Sequence, residues 1–331
     1  MQDIRWGSIG CGNVMEVKSG PALQNVEHSN LIGVMRRDAQ LAEDFARRHG
    51  VQKWYSDANK LVNDPDINAI YIATPPDTHL YYTRLAAEAG KPIYVEKPMS
   101  TSHAQCLEMV KICENLKVPL FVAYYRRALP RFLKVKEIID SGLLGEIKEV
   151  RIKLMHPAKQ ADISGESNWR VNPDVAGCGY FCDLGSHIFD LLQYLLGNIQ
   201  SASGTIDNLG KYYLAEDFVE ASFSFKSGIQ GTGIWNFNHS QDVDRTKIIG
   251  THGEVSYTHF AEADVSLQLK SGGQHFEIAN PLHIQQPLIQ SIVDELRGVG
   301  TCPSTGVSAA RTNWVMDCVL GRQKPISGAP A

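Results

Sequence analysis

Short apolar runs punctuate the first part of the chain, at 4–9, 31–35, 69–73, 93–95 and 120–123. Between them, at 38–49, 78–89 and 103–115, apolar positions recur at helical spacing. Strand and helix alternating in this way predict a parallel sheet covered on both faces, because a strand buried on either side reads as an unbroken apolar run. One more amphipathic helix is expected from Pro130 to about Ser141.

Beyond Gly145 the rhythm changes to alternating segments, at 149–154, 218–225, 229–237, 247–250 and 265–269, several joined by turns such as Ser227-Gly228 and Ser271-Gly272-Gly273. Alternation with tight turns predicts an antiparallel sheet with one solvated face. A strongly apolar helix is expected near 183–196, and two more near 285–297 and 306–319. The expected architecture is therefore α/β followed by α+β, the second part built on an open, mainly antiparallel sheet. The domains fall at 1–124 and 125–331, without internal repeats.

Composition narrows the partners. A chain of 331 residues suits two domains, and 43% hydrophobic with 21% charged residues is the balance of a globular protein. The net charge is only −4 and no lysine or arginine block occurs, so neither nucleic acid nor an acidic membrane surface is an expected partner. No run of 18 apolar residues appears and MQDIRWGSIGCG does not read as a signal peptide, which makes the cytoplasm the expected location. Seven scattered cysteines, at 11, 106, 113, 178, 182, 302 and 318, are expected to be free thiols.

Directly after the first expected strand stands Gly10-Cys11-Gly12-Asn13-Val14-Met15. A first glycine permits a tight turn and a second lets backbone approach a pyrophosphate at the start of the following helix, the opening of a Rossmann dinucleotide-binding domain. Met15 stands where glycine or alanine is usual, so a bulky side chain must be accommodated there. After the second strand the sequence offers Arg36-Arg37-Asp38. Two guanidinium groups suit the 2′-phosphate of NADP, the preferred cofactor, while Asp38 leaves a ribose contact and NAD open.

The stretch GCGYFCDLGSHIFDLLQYLLG begins at Gly177. As a helix from about Asp183, it puts Leu184, Ile188, Leu191 and Leu195 on one stripe and Asp183, His187, Asp190 and Tyr194 on the next, with Gly197 as the stop. Asp183 and His187 thus project together, and a carboxylate in so apolar a segment is costly unless paired or used. Zinc on Cys178, Cys182, Asp183 and His187 is a poorer reading, because Cys-x-x-x-Cys is not a usual zinc spacing. No metal is expected, and both cysteines read as apolar filler.

Four blocks, GCGNV, ATPPDTH at 73–79, AGKPIYVEKPMS at 89–100 and GCGYFCDLGSHIFDLL at 177–192, resemble the Gfo/Idh/MocA oxidoreductases, as more weakly do YYRRALP and IIDSGLLGEI. The resemblance covers nearly the whole chain. It implies a nicotinamide-dependent dehydrogenase whose second domain binds substrate and makes oligomer contacts, as a homodimer or homotetramer. It maps the lysine of the EKP block onto Lys97 and the paired aspartate and histidine onto Asp183 and His187. It implies further that Thr74, Pro75 and His79 line the cofactor groove, that Glu96 lies near the nicotinamide ribose, and that Arg127, Trp169 and Arg170 edge the pocket.

On this reading hydride passes between nicotinamide C4 and a carbinol or ketone carbon of a sugar, cyclitol or related polyol. His187 exchanges the hydroxyl proton and Lys97 polarises the same oxygen, though these two roles could be exchanged. Asp183 orients the imidazole or binds a neighbouring hydroxyl. Two other functions stay open at this point: redox-assisted elimination as in the NAD-dependent glycosidases, and dinucleotide sensing without turnover.

Overall fold

A computed structural model describes residues 2–323. It divides into two compact units, Met1–Leu129 with Pro281–Ala310, and Pro130–Asn280 with Arg311–Ala331. Residues 324–331, which the sequence assigns to the second domain, lie outside the described ones.

The first unit is built on a six-stranded parallel sheet of β1 (Ile4–Ile9), β2 (Ser29–Met35), β3 (Lys53–Tyr55), β4 (Ala69–Ile72), β5 (Ile93–Val95) and β6 (Leu120–Val122), in the order β3-β2-β1-β4-β5-β6. Its central strands are sealed on both faces, with Ile70, Tyr71, Ile72, Ile93, Tyr94 and Val95 fully buried. That burial explains their unbroken apolar runs. The half-exposed Lys53-Trp54-Tyr55 forms a short edge strand and carries no such run. Strand order reverses between β1 and β4, so the turns leaving their carboxyl ends part from one another and open a crevice.

The segment 281–310, which the sequence assigns to the second domain, belongs to this unit. Its helix Gln286–Leu296 buries Leu288, Ile289, Ile292 and Val293. Further on, Ser304 receives the Val122 N–H at 3.2 Å and donates its hydroxyl to the Val122 carbonyl at 2.7 Å, while Thr305 bridges Phe121. The chain thus returns to cover the exposed edge of β6, whose backbone would otherwise stand unpaired.

The second unit carries eight strands: β7 (Ile147–Met155), β8 (Ile199–Asp207), β9 (Phe218–Phe225), β10 (Gln230–Asn236), β11 (Val243–Gly250), β12 (Gly253–Tyr257), β13 (Val265–Leu269) and β14 (Gly272–Phe276). Their order is β14-β13-β12-β11-β7-β10-β9-β8, antiparallel except where β7 and β10 run parallel. Along β7, Val150, Ile152 and Leu154 are buried while Arg151 and Lys153 are exposed, the alternation of a sheet with one wet face. On the other face lies the helix Ser186–Leu196. Its Phe189 meets Phe223 at 5.3 Å and Trp235 at 5.4 Å between ring centroids. Each such buried aromatic contributes roughly 1.5–3 kcal/mol of transfer free energy, which fixes the helix against the sheet. Among the described residues no helix is long and apolar enough to cross a membrane.

Candidate active site

In the first unit the glycine turn lies at the reversal of strand order. Gly10 has φ +96° and donates its N–H to the Met35 carbonyl at 2.9 Å; a Cβ there would meet the Ala73 carbonyl oxygen at 2.7 Å, so only glycine fits. Gly12 caps the short helix Asn13–Val17 and has nothing within 4 Å of where a Cβ would stand. Asn13 is exposed and Val14 half-buried. Met15 is fully buried, and the crowding is relieved at Gly20, whose Cβ would lie 2.2 Å from the Met15 carbonyl oxygen. The helix breaks at Lys18 and resumes as Ser19–Asn25.

Arg36 and Arg37 follow β2 and are exposed. Burial pushes the Cys11 thiol up to about 11, against the opposing charge of Arg36. Asp38 is committed elsewhere: its Oδ1 accepts the N–H groups of Gln40 and Leu41 at 3.0 and 3.1 Å as the N-cap of helix Ala39–His49.

Thr74 and Pro75 stand half-buried after β4. His79 does not line the groove directly. It is fully buried, with Nε2 facing the Thr74 carbonyl at 2.8 Å and Nδ1 facing those of Pro98 and Met99 at 3.1 Å, and it rivets the loops after β4 and β5 together. Burial lowers its pKa, while the carbonyls facing both ring nitrogens act in the opposite sense.

Lys97 leaves the end of β5, half-buried, behind a polar network that the sequence did not announce. Glu96 is buried; its Oε1 accepts from the Tyr71 hydroxyl at 2.6 Å and Gln285 Nε2 at 2.7 Å, and its Oε2 accepts the Lys97 N–H at 3.1 Å. Gln285 in turn accepts the Tyr94 hydroxyl at 2.8 Å. Arg127 is buried too, its Nη1 donating to the Pro303 carbonyl at 2.7 Å. Glu96 and Arg127 therefore hold their loops from within.

In the second unit Asp183 and His187 are positioned by a turn wider than that of a regular α-helix. Residues Phe181–Gly185 form a π-helical turn, and the α-helix begins only at Ser186 and ends at Gly197. Cys178 and Cys182 are joined by a disulfide, with Cα atoms 5.5 Å apart, instead of serving as free apolar filler. Four residues of separation across a turn bring the two sulfurs together, which apolar spacing alone does not reveal. Cys11, Cys106, Cys113, Cys302 and Cys318 are buried and outside any disulfide. The zinc alternative loses both thiols to this bond, and among the described residues no group of three or more His, Cys, Asp or Glu could hold a metal ion.

His187 is 3% exposed on the first turn of its helix, its ring 6.2 Å from that of Phe260. Asp183 Oδ2 lies 3.5 Å from Arg170 Nε. The Arg170 guanidinium carbon stands 4.5 Å over the ring of Trp169, itself 37% exposed. Asp190 accepts from the Thr312 hydroxyl at 3.3 Å within the core, so the lower part of the polar stripe is structural.

Residues 4–124 match an oxidoreductase family with an NAD-binding Rossmann fold, and residues 132–256 match a Gfo/Idh/MocA C-terminal domain. Oxidoreductase P35 of Formosa agariphila is 36% identical over 319 residues, 96% of this chain and 98% of that protein. The chain belongs to the Gfo/Idh/MocA family. Inositol 2-dehydrogenase of Rhizobium meliloti is 31% identical over 85% of this chain and 82% of its own. A levoglucosan dehydrogenase solved with NADH shares the fold, with a TM-score of 0.87, 21% identity and 97% of each chain covered.

As a member of this Gfo/Idh/MocA family, the chain is an NAD(P)-dependent oxidoreductase. Its own residues fit the dinucleotide. Gly12 leaves open room beside the turn and Gly10 admits no side chain, while the two cations after β2 stand exposed. Gln285 and Phe260 are the neighbours of candidate residues that no motif marks; both come from stretches that read only as helix start and loop.

Proposed function

We propose that this chain transfers hydride between NADP, or less favourably NAD, and a carbinol or ketone carbon of a sugar, cyclitol or related polyol. Relatives named for inositol, xylose and levoglucosan support the substrate class. The observation that carries the reading is His187, nearly enclosed at the first turn of a core-anchored helix with Asp183 one turn ahead. The bound nicotinamide supplies the hydride acceptor or donor. An imidazole so placed exchanges the hydroxyl proton near neutral pH. Lys97 donates to the reacting oxygen and stabilises its alkoxide character, and Asp183 orients the imidazole or a substrate hydroxyl. Thr74, Pro75, Trp169 and Arg170 remain candidates for the walls around the reactants. Assembly as a homodimer or homotetramer through the wet face of the eight-stranded sheet belongs to the same proposal.

The test is turnover with a panel of sugars, inositols and their ketones, followed by absorbance of the reduced nicotinamide. Lys97→Met and His187→Ala are each expected to lower kcat by roughly 10²- to 10⁴-fold, with cofactor affinity retained. Full activity in either variant removes the assignment.

A further inference from the structure

Within the first unit, a cavity of about 280 Å³ is lined by Gln2, Ile4, Asn68, Pro92, Leu296 and Arg297. Ile4 opens β1, while Asn68 and Pro92 directly precede β4 and β5. Leu296 and Arg297 stand at the C-terminal end of the helix Gln286–Leu296. The Gly10 turn leaves the carboxyl end of β1, so this cavity lies at the opposite edge of the parallel sheet. Hydride transfer makes no use of it.

Its polar groups are unequally spent. Asn68 Oδ1 accepts the Arg5 N–H at 2.6 Å and Asn68 Nδ2 donates to the Asp3 carbonyl at 2.9 Å. The Pro92 carbonyl accepts the Ile70 N–H at 2.9 Å. Gln2 sets its amide oxygen on Arg5 Nη1 at 2.7 Å, which leaves its NH2 group to donate. Arg297 is half-buried, and its Nε is shut off from solvent with no acceptor among the described residues. Its acidic neighbours in sequence are turned elsewhere, Asp294 to Gln290 Nε2 at 3.0 Å and Glu295 to the Cys302 N–H. A helix C-terminus favours a cation, but a sealed N–H still costs free energy until an acceptor meets it. The side chains around the cavity therefore offer unspent donors, while each side-chain oxygen among them already accepts.

We propose that this cavity binds a small organic acid, with its carboxylate on Arg297 and its apolar body against Ile4, Pro92 and Leu296. The Nε–H and one Nη–H of a guanidinium form a parallel pair that matches the two oxygens of a carboxylate. The exposed Gln2 supplies a further donor through its NH2 group. A phosphate would meet the same donors, but three apolar side chains in the wall favour an anion that carries a hydrocarbon part. The volume stands at the small end of ligand pockets, which suits an acid of a few carbons. The site is separate from the dinucleotide crevice, and the proposal does not depend on the polyol reading.

Isothermal titration calorimetry with butyrate, butyramide and inorganic phosphate tests this, with NADP present throughout so that no anion competes for the dinucleotide site. Butyrate is expected to saturate in the millimolar range and to bind at least roughly tenfold more tightly than butyramide, a difference that Arg297→Met removes. Arg297→Lys keeps the charge without the paired donors and should recover only part of it. Melting without any acid separates a ligand site from a structural one: Arg297→Met deletes a donor that has no acceptor, so it should melt no lower than the wild type. A variant that melts well below the wild type overturns the proposal. So do equal binding of acid and amide, butyrate binding unchanged in Arg297→Met, a preference for phosphate, or no saturable binding in the millimolar range.

Discussion

Gln285 Nε2 donates to Glu96 Oε1 at 2.7 Å, joining residues 189 positions apart in the chain. The amide satisfies two buried groups at once, because its own Oε1 accepts the Tyr94 hydroxyl at 2.8 Å. Glu96 directly precedes Lys97, so the glutamine steadies the residue before the candidate catalytic lysine. Gln285→Leu leaves both groups short of a partner and is expected to destabilise by about 1–3 kcal/mol. Urea denaturation checks this. Gln285→Glu should cost more at pH 8 than at pH 5, since two facing carboxylates cannot both stay ionised. An unchanged midpoint in the leucine variant would show that the amide carries no load.

Arg36 and Arg37 are exposed while Asp38 is occupied as a helix cap. Replacing both arginines by serine should therefore weaken NADP by roughly 10- to 100-fold and NAD only slightly. Asp38→Ala should cost about 1 kcal/mol of stability through the lost cap while leaving the cofactor ratio alone. Titration of both cofactors against each variant decides it. Equal loss of the two cofactors in the arginine variant would remove the 2′-phosphate from the account.

The sequence revealed what is periodic or local. Five parallel strands were legible because burial on both faces leaves unbroken apolar runs, and the Gly10 turn because one position admits no side chain. The apolar helix that carries His187 was legible, but not the π-helical turn that places Asp183, since a helix and its bulge share nearly one apolar spacing. Gln285, Phe260 and the partnership of Cys178 with Cys182 were not legible, each being fixed by a partner that no period announces. The return of 281–310 to the first unit was hidden for the same reason. Covering an edge strand needs a few backbone hydrogen bonds and leaves no apolar pattern.

Asp64 links stability to pH. Burial pushes its carboxyl up, but the Lys53 ammonium at 2.7 Å, the Tyr55 hydroxyl and the Asp66 N–H at 2.7 Å together hold it down at about 2, below the ordinary 3.8. A folded pKa below the unfolded one means that the contribution is whole above the unfolded value and disappears as pH falls through the folded one. Asp64→Asn should therefore cost roughly 1–2 kcal/mol at pH 7, and the gap from the wild type should shrink to about half by pH 3. Melting temperatures across that range provide the check. A gap that widens on acidification would reverse the sign.

The Cys178–Cys182 bond closes a short loop immediately before Asp183. Alkylation under denaturing conditions without reductant should label Cys11, Cys106, Cys113, Cys302 and Cys318 and spare the other two. Replacing both by serine should cost about 2 kcal/mol by the loop-entropy estimate and lower kcat by freeing the turn that carries Asp183. Seven labelled thiols before reduction would remove the cross-link.

Phe260 owes its place against His187 to a loop held from two sides. Asp244 accepts the N–H groups of His259, Phe260 and Ala261 at 2.9, 2.6 and 3.0 Å, and Arg131 donates to the carbonyls of His259 and Ala261 at 2.9 and 2.7 Å. A carboxylate that gathers three successive amides fixes a loop more firmly than any apolar contact of the ring, because each charge-assisted bond is directional. Asp244→Ala strands those amides and is expected to cost about 1–3 kcal/mol. It should also lower kcat/KM for the alcohol while cofactor affinity stays as in the wild type. Phe260→Leu keeps the clamp and removes the ring, so its loss should appear in kcat/KM with little change in melting temperature. If Phe260→Leu is as active as the wild type on every substrate, the ring beside the imidazole has no part in catalysis or selection, and the clamp serves the fold alone.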